Sequence, residues 1–92
     1  MSKKVTYSQN GRGGTIKYED GETVIPLDWE FGGGNCVVII FVPTEMQWEK
    51  ATGLPLSERS NILEFVAQQV IHDQAPNSRY EISDPWIEIF SR

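Results

Sequence analysis

The chain is poor in the residue types that most often carry chemistry. It has one cysteine and one histidine among 92 residues. A single thiol, Cys36, excludes an internal disulfide, so the fold must be held by its core. Zinc sites take about four ligands, drawn mainly from Cys and His, and no metal site or cofactor is expected here. The longest apolar run, residues 36–42, is far too short to cross a bilayer, so no membrane association is expected. The chain does not open on a basic segment followed by an apolar one, the pattern of a secretory signal, and a cytoplasmic location is the resulting expectation. There is no internal repeat and no linker long enough to divide the chain. A length of 92 residues then sets the expectation of one domain, residues 1–92.

Acidic residues are absent before Glu19, where Lys3, Lys4, Arg12 and Lys17 stand. From that point acids dominate, and the 13 Asp and Glu against 8 Lys and Arg leave a net charge of −5. Such a surface repels phosphate backbones, which argues against nucleic acid and favours a basic protein partner. What the chain does have is large apolar side chains: 3 Trp, 3 Tyr and 4 Phe. Aromatics supply much buried area per residue, enough to order a small core.

The pattern along the chain reads as α+β. Residues 5–7 suggest a short first strand, and the Gly-rich stretch 9–14 a loop, so residues 1–14 are expected to be partly flexible. Residues 15–19 read as a strand, turned at Asp20-Gly21 into a return strand over 22–31. In that return strand Ile25, Leu27, Trp29 and Phe31 alternate with Pro26, Asp28 and Glu30, the period of a strand with one wet face. Pro26 suggests an edge or a bulge, since it donates no hydrogen bond. After Gly32-Gly33-Gly34-Asn35, residues 36–42 form a continuous apolar strand of the kind usually covered on both faces.

Thr44-Glu45-Met46-Gln47 fits a capping box, and Gly53 a C-terminal stop, giving a short helix near 45–52. Ser57 is placed to cap a longer helix, in which Ile62, Leu63, Phe65, Val66, Ala67, Val70 and Ile71 form an apolar stripe. Pro76 ends it. Residues 79–82 and 86–90 read as strands around a Ser83-Asp84-Pro85 break. The expected fold is a small, mainly antiparallel sheet in β-β-β-α-α-β-β order, with one short and one long helix packed on one face.

Each candidate for chemistry has a plainer explanation. His72 closes the long helix, where an imidazolium suits the helix dipole. Cys36 has neither base nor cation beside it in sequence and suits a small buried hydrophobe. The two glycine-rich stretches do not lead from a strand into a helix, as a phosphate cradle would. Asp28 and Glu30 read as a solvated row that keeps an edge soluble.

One imbalance points toward a partner. In residues 36–42, Val37, Ile39 and Phe41 face one way and Val38, Ile40 and Val42 the other. Two helices can cover only one of these rows, and an exposed branched side chain forfeits roughly 1.5–3 kcal/mol. The terminal hairpin, the N-terminal segment or a second copy of the chain could supply the missing cover. The expectation is a non-catalytic, self-associating interaction or binding module, a homodimer able also to meet a basic protein. Trp48, Trp86, Met46, Val38 and Ile40 are its candidate contact residues. The alternative is a small-ligand or enzymatic pocket between sheet and helices, which requires Cys36, His72, Arg59 or a carboxylate to converge.

Overall fold

Hairpin chemistry sets up the first half of the molecule. The computed structural model describes residues 3–91. Strands β1 (Lys3–Asn10), β2 (Gly13–Asp20) and β3 (Thr23–Phe31) form a meander. Its two tight turns are Gly11-Arg12 and Gly21-Glu22, so the second lies one residue beyond the expected Asp20-Gly21. Each turn begins on a glycine at positive φ, 68° for Gly11 and 64° for Gly21. Glycine takes that conformation without strain, which explains both positions.

Four strands therefore precede the helices, where the sequence pattern suggests three in the ordered topology. The segment read as a short strand and a loop is instead one eight-residue strand, β1, paired along its length with β2 from Lys3–Asp20 to Asn10–Gly13. Its alternation is faint because only Val5 and Tyr7 turn toward the core; its other residues are exposed.

Strand β4 (Cys36–Phe41) pairs with β3 only from Trp29 to Phe31. The first part of β3 thus has a neighbour on one side only, and Pro26 sits in that part, opposite Lys17 of β2. A residue without an N–H is tolerated there for that reason. Helix α1 (Trp48–Thr52) and helix α2 (Arg59–Gln74) follow, then β5 (Arg79–Ile82) and β6 (Trp86–Phe90). The hairpin inserts β6 beside β4, giving an antiparallel six-stranded sheet in the order β1-β2-β3-β4-β6-β5.

The helix starts differ from expectation. Thr44 Oγ1 does accept from the Gln47 N–H at 3.3 Å, but α1 begins only at Trp48. Gly53 ends it at φ 75°, as expected of a glycine stop. Ser57 does not cap α2: a 3-10 turn over Leu56–Glu58, closed by Glu58 N–H to Pro55 O, leads straight into it.

One core unites the sheet's inner face with both helices. Ile16, Tyr18, Ile25, Leu27, Ile40, Ile87 and Ile89 pack with Trp48, Leu63, Val66, Ala67 and Val70. Phe65 meets Tyr18 edge-on at 5.8 Å. Both edge strands are tied to the same helix, through Tyr7 to Asp73 at 2.8 Å and Gln68 to Tyr80 at 3.3 Å. The sheet therefore wraps α2. Arg59, the one buried charge among the described residues, donates to the carbonyls of Pro43 and Asp84 and lies 3.4 Å from the Asp84 carboxylate. It joins the start of α2 to the loop that leaves β4 and the loop that enters β6, which lie side by side at one end of that strand pair. No helix among the described residues is long and apolar enough to cross a membrane.

Candidate functional site

The apolar strand β4 is covered on one face. The row Val38, Ile40 and Val42 turns to the helices, with Ile40 and Val42 buried and Val38 packed against the core. The opposite row is Val37, Ile39 and Phe41. Two of the covers considered for it are not used by the described residues. The terminal hairpin extends the sheet beside β4 instead of folding across it, and the N-terminal segment pairs with β2.

Register builds the open face residue by residue. Ile39 lies between Glu30 of β3 and Glu88 of β6, and Glu88 lies opposite Glu81 of β5. One row across four strands thus reads Glu30, Ile39, Glu88, Glu81. In the neighbouring row Phe41 pairs with Trp86, and each is 37% exposed. Asp28 shares the face with Glu30 two residues earlier on β3 and is exposed. On the far side Phe90 is overlain by the Arg79 guanidinium, 4.5 Å from the ring centroid, and Arg79 also pairs with Glu81 at 2.8 Å. The face is an aromatic strip along β4 and β6 with carboxylates on both flanks. Among the described residues Asp28, Glu30 and Glu88 enter no ion pair.

Five residues were expected to contact a partner, and the structure separates them. Trp86 stands on the open face. Met46 is 97% exposed, but in the turn before α1, away from the sheet. Trp48 is fully buried, its indole N–H bonded to Pro55 O at 3.0 Å, and Ile40 is fully buried too. Val38 and Ile40 belong to the helix-covered row, and the row on the open face is that of Ile39 and Phe41. Period-two alternation identified both rows of β4 but carries no information about which one the helices take.

The groups required for an enzymatic site lie apart. Arg59 and His72 stand near opposite ends of α2, about 20 Å apart at 1.5 Å per residue. His72 is exposed and contacts Asp73 at 3.2 Å. Cys36 is half-buried at the start of β4, its thiol 3.5 Å from Val38 O. Desolvation, then the nearby Glu88 charge, raises its pKa and keeps it a thiol. No three His, Cys, Asp or Glu among the described residues gather closely enough to hold a metal.

A concavity lies on the inner face beside β1. It is a cleft of about 280 Å³ lined by Tyr7, Gln9, Trp29, Phe31, Val38 and Gln74, among others. Trp29 and Phe31 meet edge-on at 5.0 Å, and the Trp29 indole donates to Ser8 O at 3.1 Å. Its lining carries no charged side chain, and its volume falls just below the usual range for small-molecule sites. Comparison of the chain with protein families, with curated proteins and with solved structures returns no match.

Proposed function

We propose that the protein is a non-catalytic interaction module whose open sheet face binds a basic, partly apolar segment of another protein. The observation that carries this reading is the Phe41–Trp86 pair set between carboxylates of β3 and β6. Removing such side chains from water contributes roughly 1.5–3 kcal/mol each. Tryptophan at the centre of a contact patch is a frequent anchor of binding energy.

Charge selects the occupant. Carboxylates flank β4 on both sides, so two copies meeting face to face about a two-fold axis at β4 would set carboxylate over carboxylate. A cationic partner meets the same groups with opposite sign, and phosphate-rich nucleic acid is repelled.

The test is a titration of the labelled protein with a synthetic peptide of alternating Lys and Leu, followed by NMR. The expected result is shifts centred on Ile39, Phe41, Trp86 and Glu88, with affinity falling as salt rises. Trp86→Ala should weaken binding by about tenfold or more. Shifts confined to other surfaces, or an affinity unchanged in Trp86→Ala, would remove this face from consideration.

A further inference from the structure

We infer that β1 is a self-pairing edge, through which two copies of this chain join their sheets into one continuous antiparallel sheet. This surface is distinct from the open face of β4 and β6, so the two readings stand or fall separately.

Strand β1 ends the sheet and pairs with β2 alone. Its eight residues, KKVTYSQN, contain no Pro and no Gly, and its register runs without a shift. Edge strands are normally short, bulged, covered or charged along their length, because their free backbone groups pair with whatever strand they meet. The other edge, β5, follows that rule: it has four residues and carries the Arg79–Glu81 ion pair. In β1 the charges, Lys3 and Lys4, sit at one end only, and the other end is the neutral pair Gln9 and Asn10.

The hairpin fixes which peptide groups are free. A two-residue turn makes Asn10 and Gly13 a hydrogen-bonded pair, and such pairs recur at every second residue. Ser8, Thr6 and Lys4 therefore aim their peptide groups at β2, while Lys3, Val5, Tyr7 and Gln9 aim theirs outward. The Trp29 indole reaching Ser8 O from β3 agrees, since that carbonyl faces β2.

Opposed residues in an antiparallel pair share a face, which restricts the register of a self-paired edge. Pairing about Thr6 sets Thr6 against its own copy, Val5 against Tyr7, Lys4 against Ser8 and Lys3 against Gln9. No lysine meets a lysine. Each Val5–Tyr7 and Lys3–Gln9 pair uses the outward peptide groups. On the inner face, Lys3 of the second copy arrives beside the last turn of α2, where Asp73 accepts from Tyr7. A cation is favoured at a helix C-terminus. Val5 of the second copy lies against Tyr7 and narrows the mouth of the cleft that Tyr7 and Gln9 line. A second copy fits as the occupant because this register sets its Lys3 and Lys4 against Gln9 and Ser8, and its neutral end against the two lysines of the first.

The test combines light scattering over a concentration series with amide hydrogen exchange on the intact chain. The expected result is a monomer–dimer equilibrium developing at high micromolar concentration. With rising concentration the amides of Val5, Tyr7 and Gln9 should slow, while those of Thr6 and Ser8 stay protected throughout. Gln9→Pro removes an outward donor and should weaken association about tenfold or more with the far-ultraviolet spectrum unchanged. Thr6→Lys places two ammonium groups at the axis, with Glu19 near each inside its own chain, and its weakened association should recover at high salt. A wild-type protein that stays monomeric over the whole series overturns the inference. So does a dimer in which the Val5, Tyr7 and Gln9 amides exchange at the monomer's rate, an outcome readable even if neither variant folds.

Discussion

The Tyr7 hydroxyl donates to Oδ2 of Asp73 at 2.8 Å, joining the first strand to the last turn of the long helix across 66 residues of chain. Desolvation, then the hydrogen bond and the charge of Asp73, raises the pKa of Tyr7. The hydrogen bond from Tyr7, followed by those from Gln69 and His72, lowers the pKa of Asp73. The carboxylate's contribution is present above its unfolded value, about 4, and is lost as pH falls through the lowered folded value. The phenol's contribution is present below its unfolded value, about 10, and is lost as pH rises toward the raised folded value. Tyr7→Phe should therefore be less stable than wild type at neutral pH and should show a shallower loss at both extremes. Urea midpoints measured from acid to alkaline pH check this; parallel curves for the two proteins would show that the bond does not form in solution.

Arg59 donates to two backbone carbonyls and faces the Asp84 carboxylate while almost wholly buried. Asp84 in turn accepts from the Glu45 N–H at 2.9 Å. Removing the guanidinium takes the donor from the Pro43 and Asp84 carbonyls, and Arg59→Ala should cost about 3 kcal/mol. Arg59→Lys should recover little, because an ammonium cannot span the Pro43 and Asp84 carbonyls as the forked group does. Equilibrium denaturation gives both numbers, and a loss in Arg59→Ala below about 0.5 kcal/mol would mean the clasp is open in solution.

How far the sequence is readable follows from where each signal lives. The alternation of Ile25, Leu27 and Trp29 and the stripe of α2 are set by burial against a core, so both elements are visible in the pattern. Strand β1 is nearly invisible because an edge strand buries few side chains: Val5 is buried and Tyr7 half-buried, and the rest of its stability is backbone pairing that any polar residue can make. The start of α2 departs from the pattern for a related reason, since the backbone bond from Glu58 to Pro55 replaces the side-chain cap expected of Ser57. The candidate face was half legible. Two apolar rows in β4 could be read from residue type, but the choice between them depends on the side that α2 takes, and that is a property of the whole chain.

Trp48 and Trp86 separate stability from binding. Trp48 is fully enclosed and its indole N–H is bonded to Pro55 O, so Trp48→Ala should cost about 3–5 kcal/mol. Trp86 lies on the open face and pairs across strands with Phe41, so Trp86→Ala should cost about 1 kcal/mol or less. The first substitution is expected to lower the denaturation midpoint sharply. The second should leave the midpoint near wild type while weakening capture of a cationic peptide. Equal destabilisation by both would mean that the chain covers its own open face in solution.

Gly14 and Gly33 make a matched pair for the geometry beside β1. A Cβ on Gly14 would collide with the backbone oxygen of Ser8, whereas a Cβ on Gly33 would meet nothing within 4 Å. Gly14→Ala therefore has to push β1 away from β2 at the point where the Trp29 indole reaches Ser8 O. The expected cost is roughly 2–3 kcal/mol, against a change within about 0.5 kcal/mol for Gly33→Ala. The displacement should also appear as faster exchange of the β1 and β2 amides between Ser8 and Thr15 and as a shifted Trp29 indole resonance. Because Gly14 pairs with Gln9 of β1, one strand in from the edge, the substitution should weaken self-pairing through β1 as well, while peptide capture at Phe41 and Trp86 stays unchanged. Loss of both activities together would show that the two surfaces are not independent.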